Sequence, residues 1–588
     1  MDARFVAPAK IDLETKMNRK LLFTVAAAGF ALAACESGDI NIAPATNVTD
    51  SNNSTVNNPP PTNTGPNPCA TITSSGTPVQ GAYDGMNCTY PDVVGAGNNL
   101  TTNLRIPALP MGGAHIFEGS LFVGRTFNTD AELAAAGISQ GGDGPTLEIE
   151  AGATLAWRTS SDFLVINRGS RIIADGTADA PITFTSVSDV EGTVGPEDVQ
   201  QWGGMVINGF GVTNKCVYVG DRLNPSAAPA FAVDLTVQAD GCHVDAEGSQ
   251  GLDESQYGGA NDDDDSGILD YVVVKHTGAT VGNGDELNGI SFGGVGRGTQ
   301  VSNLQVYSTF DDGIEMFGGA FDIDNLVAVY VRDDSIDLDE GWHGTITNAL
   351  VIQSESIGNH CIEADGIGSY NDQVAANNTY NIMRDNLNTQ VTINNLTCII
   401  SPTPTQGDFD PGAGWRFREG IYFNVNDSMV ITSFAANEQA SLNNNYCLRV
   451  DNTETRDGID GNAGEGIVAG TSNLNSVIYA CQETFRDTYE STFAAAEGNV
   501  AATIPNDTAV SATAVNDPDL QLLEGTVPVF SIDFATSLVD GAAPAATATP
   551  TSGTFLGALS LGGMDWTQPW AYGIDPNNRG QALWFETL

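Results

Sequence analysis

Isoleucine recurs at a spacing of 22 to 26 residues in the middle of this chain, at Ile290, Ile314, Ile336 and Ile362. A second series keeps the same period, with a last interval of about two units, at Asn303, Asn325, Asn348 and Asn395. Two series in step indicate a solenoid, in which each repeat packs on its neighbours. A unit of this length leaves leucine-rich horseshoes and β-solenoids as candidates.

The composition of the unit decides between these two folds. β-Branched or alternating segments occur at residues 301–307, 321–330, 346–352 and 391–400, and glycine, asparagine and aspartate separate them. This pattern is typical of strands and turns, and no leucine-rich consensus accompanies it. We therefore predict an all-β chain: a right-handed parallel β-helix solenoid with about 22–26 residues per coil, loop insertions and a C-terminal cap.

Like residues stack on successive coils of such a helix, about 4.8 Å apart. The four isoleucines are then core residues, as are the residues two positions further on, Phe292, Met316, Leu338 and Ala364. Stacked asparagine side chains can hydrogen-bond one another and the turn backbone. The asparagine series is accordingly predicted to be structural.

The N-terminus has the features of an export signal. Arg19 and Lys20 precede an apolar run at residues 21–34, which is too short to span a bilayer. The run ends in Leu-Ala-Ala followed by Cys35, a sequence that resembles the lipobox of bacterial lipoproteins. The resemblance implies a signal peptide at residues 1–34 and acylation of Cys35.

Two further expectations concern this end of the chain. Glu36 after the cysteine implies an anchor in the outer membrane of a Gram-negative bacterium, with the protein facing either the periplasm or the cell surface. Translation is expected to start at Met1 or at Met17. Residues 35–68 are dense in Asn, Thr and Pro with almost no bulky apolar residue, so they are predicted to form a flexible tether. The protein is therefore expected to be lipid-anchored and exported.

The rest of the chain divides into three parts. We predict an N-terminal capping region at residues 69–145, the parallel β-helix at 146–483, and a C-terminal helix, loop and aromatic cap segment at 484–588. Three tryptophans lie in the last part, at Trp566, Trp570 and Trp584. A solenoid must cover its exposed strand edges, which favours a cap or a lateral packing segment; a carbohydrate-stacking platform is the alternative.

Eight cysteines remain besides Cys35, an even number that suggests disulfides in an exported chain. Eight cysteines allow about 105 pairings. The nearest-neighbour set closes short loops and is the one predicted: Cys69–Cys88, Cys216–Cys242, Cys361–Cys398 and Cys447–Cys481. The chain has only five histidines and no CxxC motif, which argues against a zinc site.

The net charge of −51 excludes nucleic acid as a partner and suits a soluble surface or cation binding. Residues that alternate with the core isoleucines point outward, and several of them are acidic: Glu315, Asp337, Asp339, Glu363 and Asp365. Ligands that offer only oxygen favour a hard ion, Ca²⁺ rather than Mg²⁺. We predict a calcium site if loops cover this face, and a solvated surface if it is open.

Paired acids are also expected to stack at the adjoining turn, at Asp311, Asp312, Asp333 and Asp334. They resemble the arrangement in β-helical polysaccharide hydrolases, where one carboxyl protonates the glycosidic oxygen and another activates water. A calcium-dependent lyase would also need a base, for which Arg332, His343 and His360 are candidates. A separate acidic run from Asp262 to Asp265 predicts an exposed loop.

Five short elements together resemble a family of exported bacterial, pectin-lyase-like β-helix proteins. They lie at residues 202–209, 312–315, 333–335, 340–342 and 565–567. The resemblance covers roughly residues 140–588 and implies fold and export, but no catalytic residue. The function predicted is an outer-membrane-anchored binding module for glycan or an outer-membrane partner, with calcium as its cofactor. The alternative is a polysaccharide hydrolase or lyase that uses acids on consecutive coils.

Overall fold

The computed structural model describes residues 66–501 except 75, 96, 248–254, 281–285, 402–411, 433–445, 482, 487 and 497–499, together with short stretches between 523 and 584. The predicted signal peptide, Cys35 and nearly all of the predicted tether lie outside the described residues. Within the described part of the chain, no helix is long and apolar enough to cross a membrane.

Two long sheets contain most strands of the described part of the chain. The ten-stranded sheet contains Leu121–Val123, Leu164–Ile166, Met205–Asn208, Ile290–Gly293, Ile314–Phe317, Ile336–Asp339, His360–Asp365, Ala413–Arg418, Tyr446–Val450 and Glu483–Phe485. The sixteen-stranded sheet contains Ala82–Tyr83, Cys88–Tyr90, Leu104–Ile106, Ala114–Phe117, Thr146–Ile149, Thr154–Trp157, Arg171–Asp175, Ile182–Ser186, Gly267–Thr277, Gln300–Thr309, Ile323–Val329, His343–Ile352, Gln390–Ile400, Tyr422–Thr432, Asn473–Ala480 and Val500–Ala501. All pairings within these sheets are parallel except that of the first two strands of the longer sheet. The predicted parallel β-helix is confirmed.

The isoleucine series marks the coil as predicted. Ile290, Ile314, Ile336 and Ile362 pair in register on four successive strands and are fully buried. Phe292, Met316, Leu338 and Ala364 are equally buried two positions further on. Aromatic rings continue the interior stack in the N-terminal coils, where the ring centroids of Phe117 and Trp157 lie 5.3 Å apart and those of Trp157 and Trp202 lie 4.5 Å apart.

The asparagine series forms a corner that divides each long strand of the sixteen-stranded sheet. Asn303, Asn325, Asn348 and Asn395 all have a positive φ, between 47° and 62°, which asparagine tolerates better than most residues. The side-chain amide of Asn325 donates to Asn303 at 3.0 Å, and that of Asn348 donates to Asn325 at 3.0 Å. These three asparagines thus form a hydrogen-bonded column, whereas Asn395 donates to the carbonyl oxygen of Gly557 at 3.3 Å, so the bonds seen agree with the structural role predicted.

Short elements fill the turns between coils. The helices are Asp130–Ala136, Val187–Val190, Tyr370–Ala375, Thr379–Arg384, Thr453–Asp460 and Thr488–Ala496, with a 3₁₀ turn at Pro110–Gly112. Two-stranded hairpins pair Thr71–Ser74 with Thr77–Gln80, Tyr218–Val219 with Ala232–Val233, Val244–Asp245 with Gln256–Tyr257, Ala279–Thr280 with Glu286–Leu287, Leu523–Glu524 with Val527–Pro528, and Ser531–Asp533 with Phe555–Gly557. The second and third of these hairpins belong to a long insertion between Met205–Asn208 and Gly267–Thr277, which we call the 209–266 insertion.

The parallel strands begin earlier than residue 146, the predicted start of the β-helix. Cys88–Tyr90 already pairs in parallel with Ala114–Phe117, inside the segment predicted to be a cap. The four disulfides are the four predicted pairs, Cys69–Cys88, Cys216–Cys242, Cys361–Cys398 and Cys447–Cys481.

The aromatic C-terminal segment packs along the side of the β-helix. Trp570 and Trp584 are 1% and 8% exposed and contact the outer surface of the sixteen-stranded sheet, where apolar residues such as Val329 and Ile352 need cover. The indole N–H of Trp584 donates to the carbonyl oxygen of Gln353 at 2.9 Å. The lateral packing role explains these tryptophans, and their burial does not suit a carbohydrate platform.

Candidate functional site

The outward positions of the ten-stranded sheet form an acidic column, as the sequence predicts. Ser291, Glu315, Asp337 and Glu363 pair in register on consecutive strands. Asp339 lies directly above Phe317 in the next outward column. Strand pairing brings such residues within about 5 Å of one another, so their charges interact strongly.

A second column, at the turn before these strands, is a ladder of side chains bonded to backbone. The backbone N–H of Asp312 donates to Asn288 Oδ1 at 3.2 Å, and that of Asp334 donates to Asp312 Oδ1 at 2.9 Å. The backbone N–H of His360 continues the ladder by donating to Asp334 Oδ1 at 2.6 Å. Asp312 and Asp334 are 8% and 4% exposed. These two carboxyls therefore fasten one coil to the next, which is a structural task.

Three carboxyl groups converge where the two columns meet. Asp312, Glu315 and Asp337 each bring one carboxylate oxygen within 4.8 Å of the other two, and we call them the acid cluster. Glu315 Oε2 accepts a hydrogen bond from Asn288 Nδ2 at 2.6 Å. Asp337 Oδ1 is buried and has no hydrogen-bond partner. The cluster thus presents a buried, unpaired acceptor next to two further carboxyl groups.

Burial makes these acids hard to ionise together. Removal from water, followed by repulsion from neighbouring carboxylates, raises the pKa values of Asp312, Glu315 and Asp337 well above their usual ranges. The same two causes raise the pKa of Asp311 to about 9. These raised pKa values favour a shared proton or a bound cation, and a bound cation would displace such a proton.

The 209–266 insertion covers part of the acidic face. The Tyr257 ring lies 6.1 Å from that of Phe317, and its hydroxyl donates to Glu340. Lys215 Nζ contacts Glu340 Oε1 at 3.1 Å. Glu247, also from this insertion, shares the Asn288 amide with Glu315. The face is therefore partly covered, and cover is the condition under which the sequence predicted a calcium site.

The charge of the column reverses on the next coil. Arg416 is in register with Glu363, and its guanidinium lies 2.8 Å from the Glu363 carboxylate. Arg418 contacts Glu363 at 3.0 Å and Asp365 at 2.8 Å. Burial opposes ionisation of Glu363, but His360 and the two arginines outweigh it and lower its pKa. Glu363 and Asp365, predicted as calcium ligands, are held in ion pairs here.

The other predicted site residues fall into two settings. Asp339 Oδ1 accepts from the backbone N–H of Glu340. Asp311 and Asp333, which flank the ladder, come together with Asp312 within 4.8 Å. The acid pairs are thus adjacent as predicted, but one member of each pair is occupied by backbone, which weakens the hydrolase alternative.

The base candidates of the lyase alternative are also occupied. His360 lies 2.8 Å from Asp334 through Nδ1 and 2.8 Å from the Tyr446 hydroxyl through Nε2. His343 contacts the carbonyl oxygen of Asn388, and Arg332 donates to the carbonyl oxygen of Glu197. Only His360 lies beside the acids, and burial lowers its pKa to about 4.

The acidic run from Asp262 to Asp265 differs from the exposed loop predicted. Asp262 pairs with Arg222 at 2.7 Å, and Asp265 pairs with Arg171 at 2.8 Å. Asp264 is 1% exposed, and its Oδ1 has no hydrogen-bond partner. The run was misjudged because partners more than 30 residues away, which composition does not reveal, draw it into the structure.

Sequence reasoning missed the arginines and the insertion residues. On the next coil, Trp415 is in register with the core residue Ile362. Arg416 and Arg418 therefore occupy the outward positions that Glu363 and Asp365 occupy on the coil before. The alternating sequence Trp-Arg-Phe-Arg carried this signal, but residues 366–412 interrupt the period before it. Asn288 and Glu247 belong to neither the isoleucine nor the asparagine series, so the repeat did not indicate that they lie beside the acids.

The fold and site define a parallel β-helix protein with a partly covered acidic face. A family model described as a pectate-lyase-like beta helix domain matches residues 125–509, well over half of the chain. The protein belongs to this pectate-lyase-like β-helix family. No curated protein and no solved structure shows significant similarity to the chain.

Proposed function

We propose that this protein is a calcium-dependent binding module, anchored to the outer membrane through Cys35, that recognises a glycan. The observation that carries the calcium site is the buried, unpartnered Asp337 Oδ1 beside Asp312 and Glu315. Ca²⁺ binds oxygen at about 2.3–2.6 Å, so two of its ligands lie at most about 5 Å apart. The spacing of the cluster, within 4.8 Å, fits that requirement.

A binding role agrees better with the geometry than cleavage. The carboxyls best placed for acid–base chemistry, Asp312 and Asp334, accept backbone N–H groups, and His360 has both ring nitrogens engaged. A cation on the roofed face would bring its remaining ligand positions to a bound molecule, and hydroxyl or carboxylate oxygens of a glycan suit such an ion.

Calcium binding is tested by titration calorimetry and thermal unfolding of the full chain. We expect saturable binding at millimolar Ca²⁺ or below and a rise in melting temperature, and we expect Asp337→Asn to weaken binding at least tenfold because it removes the negative charge and one of the two oxygens of this carboxylate. Asp324→Asn is the matched control, since Asp324 is exposed on the sixteen-stranded sheet. Folded protein that binds no Ca²⁺, or an Asp337→Asn variant that binds as well as wild type, would refute the site.

The same samples separate binding from cleavage. Incubated with a panel of acidic and neutral polysaccharides, the calcium-loaded protein is expected to retain glycan without producing reducing ends or unsaturated sugars. Release of either product would favour the hydrolase or lyase alternative. If the protein retains outer-membrane proteins but no glycan, its partner is an outer-membrane protein and not a glycan.

The anchor is tested by fractionating cells that express the full chain. We expect the wild-type protein in the outer membrane and Cys35→Ser in a soluble fraction, because the acylated thiol supplies the anchor. Glu36→Asp is the matched variant and is expected to move the protein to the inner membrane. A Cys35→Ser protein that stays with the outer membrane would contradict the proposal.

A further inference from the structure

Exposed apolar side chains concentrate in one part of the 209–266 insertion. In the described part of the chain, eleven large apolar side chains are at least 36% exposed, and five of them lie within 21 residues of sequence. These five, which we call the apolar platform, are Val217, Val219, Leu223, Leu235 and Val237. Single apolar side chains scattered over a surface need no explanation, whereas a concentration of them marks an interaction site.

The backbone brings the members of the platform together. Val217 and Val219 alternate along extended backbone and therefore point to the same side of their hairpin. The backbone N–H of Asp234 donates to the carbonyl oxygen of Val217 at 2.8 Å, so the turn that carries Leu235 and Val237 lies beside Val217. The fifth member of the platform lies in the turn that follows the first strand of the hairpin.

The platform has a rigid base. The disulfide Cys216–Cys242 closes the segment. The rings of Tyr218 and Phe231 stack with centroids 5.0 Å apart and pack against an apolar cluster beneath them. Arg222 is 5% exposed and donates to the carbonyl oxygens of two turns of the β-helix. The inner side of the segment is thus fixed to the β-helix, while the platform on its outer side remains exposed.

The charged side chains of this segment leave the platform electrically neutral. Four of the 25 residues between Cys216 and Cys242 are charged. Arg222 is buried in an ion pair, and the carboxylates of Asp221 and Asp234 accept backbone N–H groups of their own turns. Asp240, at the far end of the segment, is the exposed one. Within this segment no exposed cation accompanies the platform, so it offers an anionic partner no counter-charge.

Position and charge favour a neutral lipid surface as the occupant of the platform. Residues 35–65 of the predicted tether number 31, and a flexible chain of this length spans roughly 30 Å on average. The anchor proposed at Cys35 would therefore hold the β-helix within reach of lipid head groups. A second copy of the chain would carry the same net charge of −51, which opposes pairing of two platforms.

We propose that the apolar platform is a membrane-docking surface that inserts into the head-group region of a neutral bilayer. The inference rests on the proposed anchor for its location, but the contact itself does not need the anchor. Apolar side chains that enter the boundary between head groups and acyl chains leave water, which favours binding. Five side chains alone give a weak and reversible contact, so an unacylated chain still appears in the soluble fraction of cells.

Flotation with phosphatidylcholine vesicles tests the platform. The sample is the chain from residue 35 onward with Cys35→Ser, which carries no acyl group, and a chelator removes calcium. We expect saturable binding at millimolar lipid. The double variant Leu235→Asp with Val237→Asp is expected to bind at least fivefold more weakly, because two charges enter the apolar contact. Leu223→Asp, in the other turn, is expected to bind about threefold more weakly.

Met111→Asp is the matched control for these variants. Met111 is 77% exposed on the turn Pro110–Gly112, outside the insertion, so its loss should change vesicle binding by less than about 1.5-fold. The platform variants should melt at the wild-type temperature, because the side chains they replace are exposed. Addition of phosphatidylglycerol to the vesicles is expected to weaken binding, since anionic lipid repels a chain of this net charge.

Four results would overturn the proposal. The first is absence of vesicle binding by the folded Cys35→Ser chain, and the second is equal binding by the double variant and its parent. The third is tighter binding to anionic than to neutral vesicles, which would assign the contact to cationic side chains. The fourth is a dimer in sedimentation velocity that the double variant abolishes, which would make a second copy the occupant. Failure of the cell-fractionation test of the anchor is a separate result, because the vesicle experiment contains no anchor.

Discussion

Asp264→Asn is expected to raise the free energy of unfolding by about 4 kcal/mol at pH 8, relative to the wild type. Burial raises the pKa of Asp264 to about 7, although hydrogen bonds from the Ser266 hydroxyl and the backbone N–H of Phe210 partly oppose this rise. The folded protein therefore holds a proton that the unfolded chain loses. Stability falls as pH rises from about 4 to about 7, and asparagine, which mimics the protonated acid, avoids that loss.

Denaturant unfolding at several pH values measures this effect. The difference between variant and wild type should vanish near pH 3 and level off above pH 8; other titrating acids cancel in that difference. Asp263→Asn is the matched control, because the Asp263 side chain is 84% exposed, and it should change stability by less than about 0.5 kcal/mol. An Asp264→Asn variant less stable than wild type at pH 8 would show that Asp264 is ionised and stabilising.

Arg418→Ala is expected to lower the free energy of unfolding by about 3–5 kcal/mol at pH 8 in the presence of a chelator. Arg418 is the partner of both Glu363 and Asp365, whose side chains are 13% and 14% exposed. Removing the guanidinium leaves two buried carboxylates, one of which still has Arg416. The loss should shrink as pH falls, because protonated acids no longer need a counter-charge; burial raises the pKa of Asp365, so Asp365 takes up its proton before Glu363, whose pKa is lowered.

Two companion variants give this result its meaning. Arg158→Ala breaks an exposed ion pair with Glu118 and should cost less than about 1 kcal/mol. Arg418→Ala combined with Asp365→Asn should be more stable than Arg418→Ala alone, because one stranded charge is gone. A double variant that is no more stable than the single one would show that Arg418 acts through packing and not through charge.

The regular part of the fold followed from the sequence because a β-helix repeats its contacts. Ile314 and Ile336 predict each other's burial, and the same alternation placed Glu315 and Asp337 on one outer face. Asn325 was predicted to stack because a corner of this kind recurs on every coil. Wherever one coil resembles the next, the local sequence pattern is sufficient to predict which residues are buried and which are stacked.

Contacts between distant segments were not predictable in this way. Asp312 was expected to stack at the turn as a candidate catalytic acid, and it does lie at that turn, but the sequence did not reveal that its carboxylate accepts the backbone N–H of Asp334 on the next coil. The cover over the acidic face comes from the 209–266 insertion, whose Thr213 and Lys215 contact Glu340 more than 120 residues further along the chain. The arginines were hidden by the interruption at residues 366–412, which separates them from the acids they neutralise.

The reversal of charge between His360–Asp365 and Ala413–Arg418 also affects which strands pair with each other and in which register. Residues 366–412 intervene between these strands, so chain connectivity alone brings them together only weakly. Arg416 and Arg418 attract the strand that ends in Asp365. On its other edge Ala413–Arg418 pairs with Tyr446–Val450, where Arg416 is in register with Arg449 and Asp451 contacts the two guanidinium groups at 3.0 and 2.9 Å. Carboxylates on both sides of the arginines thus favour this register in spite of the long insertion.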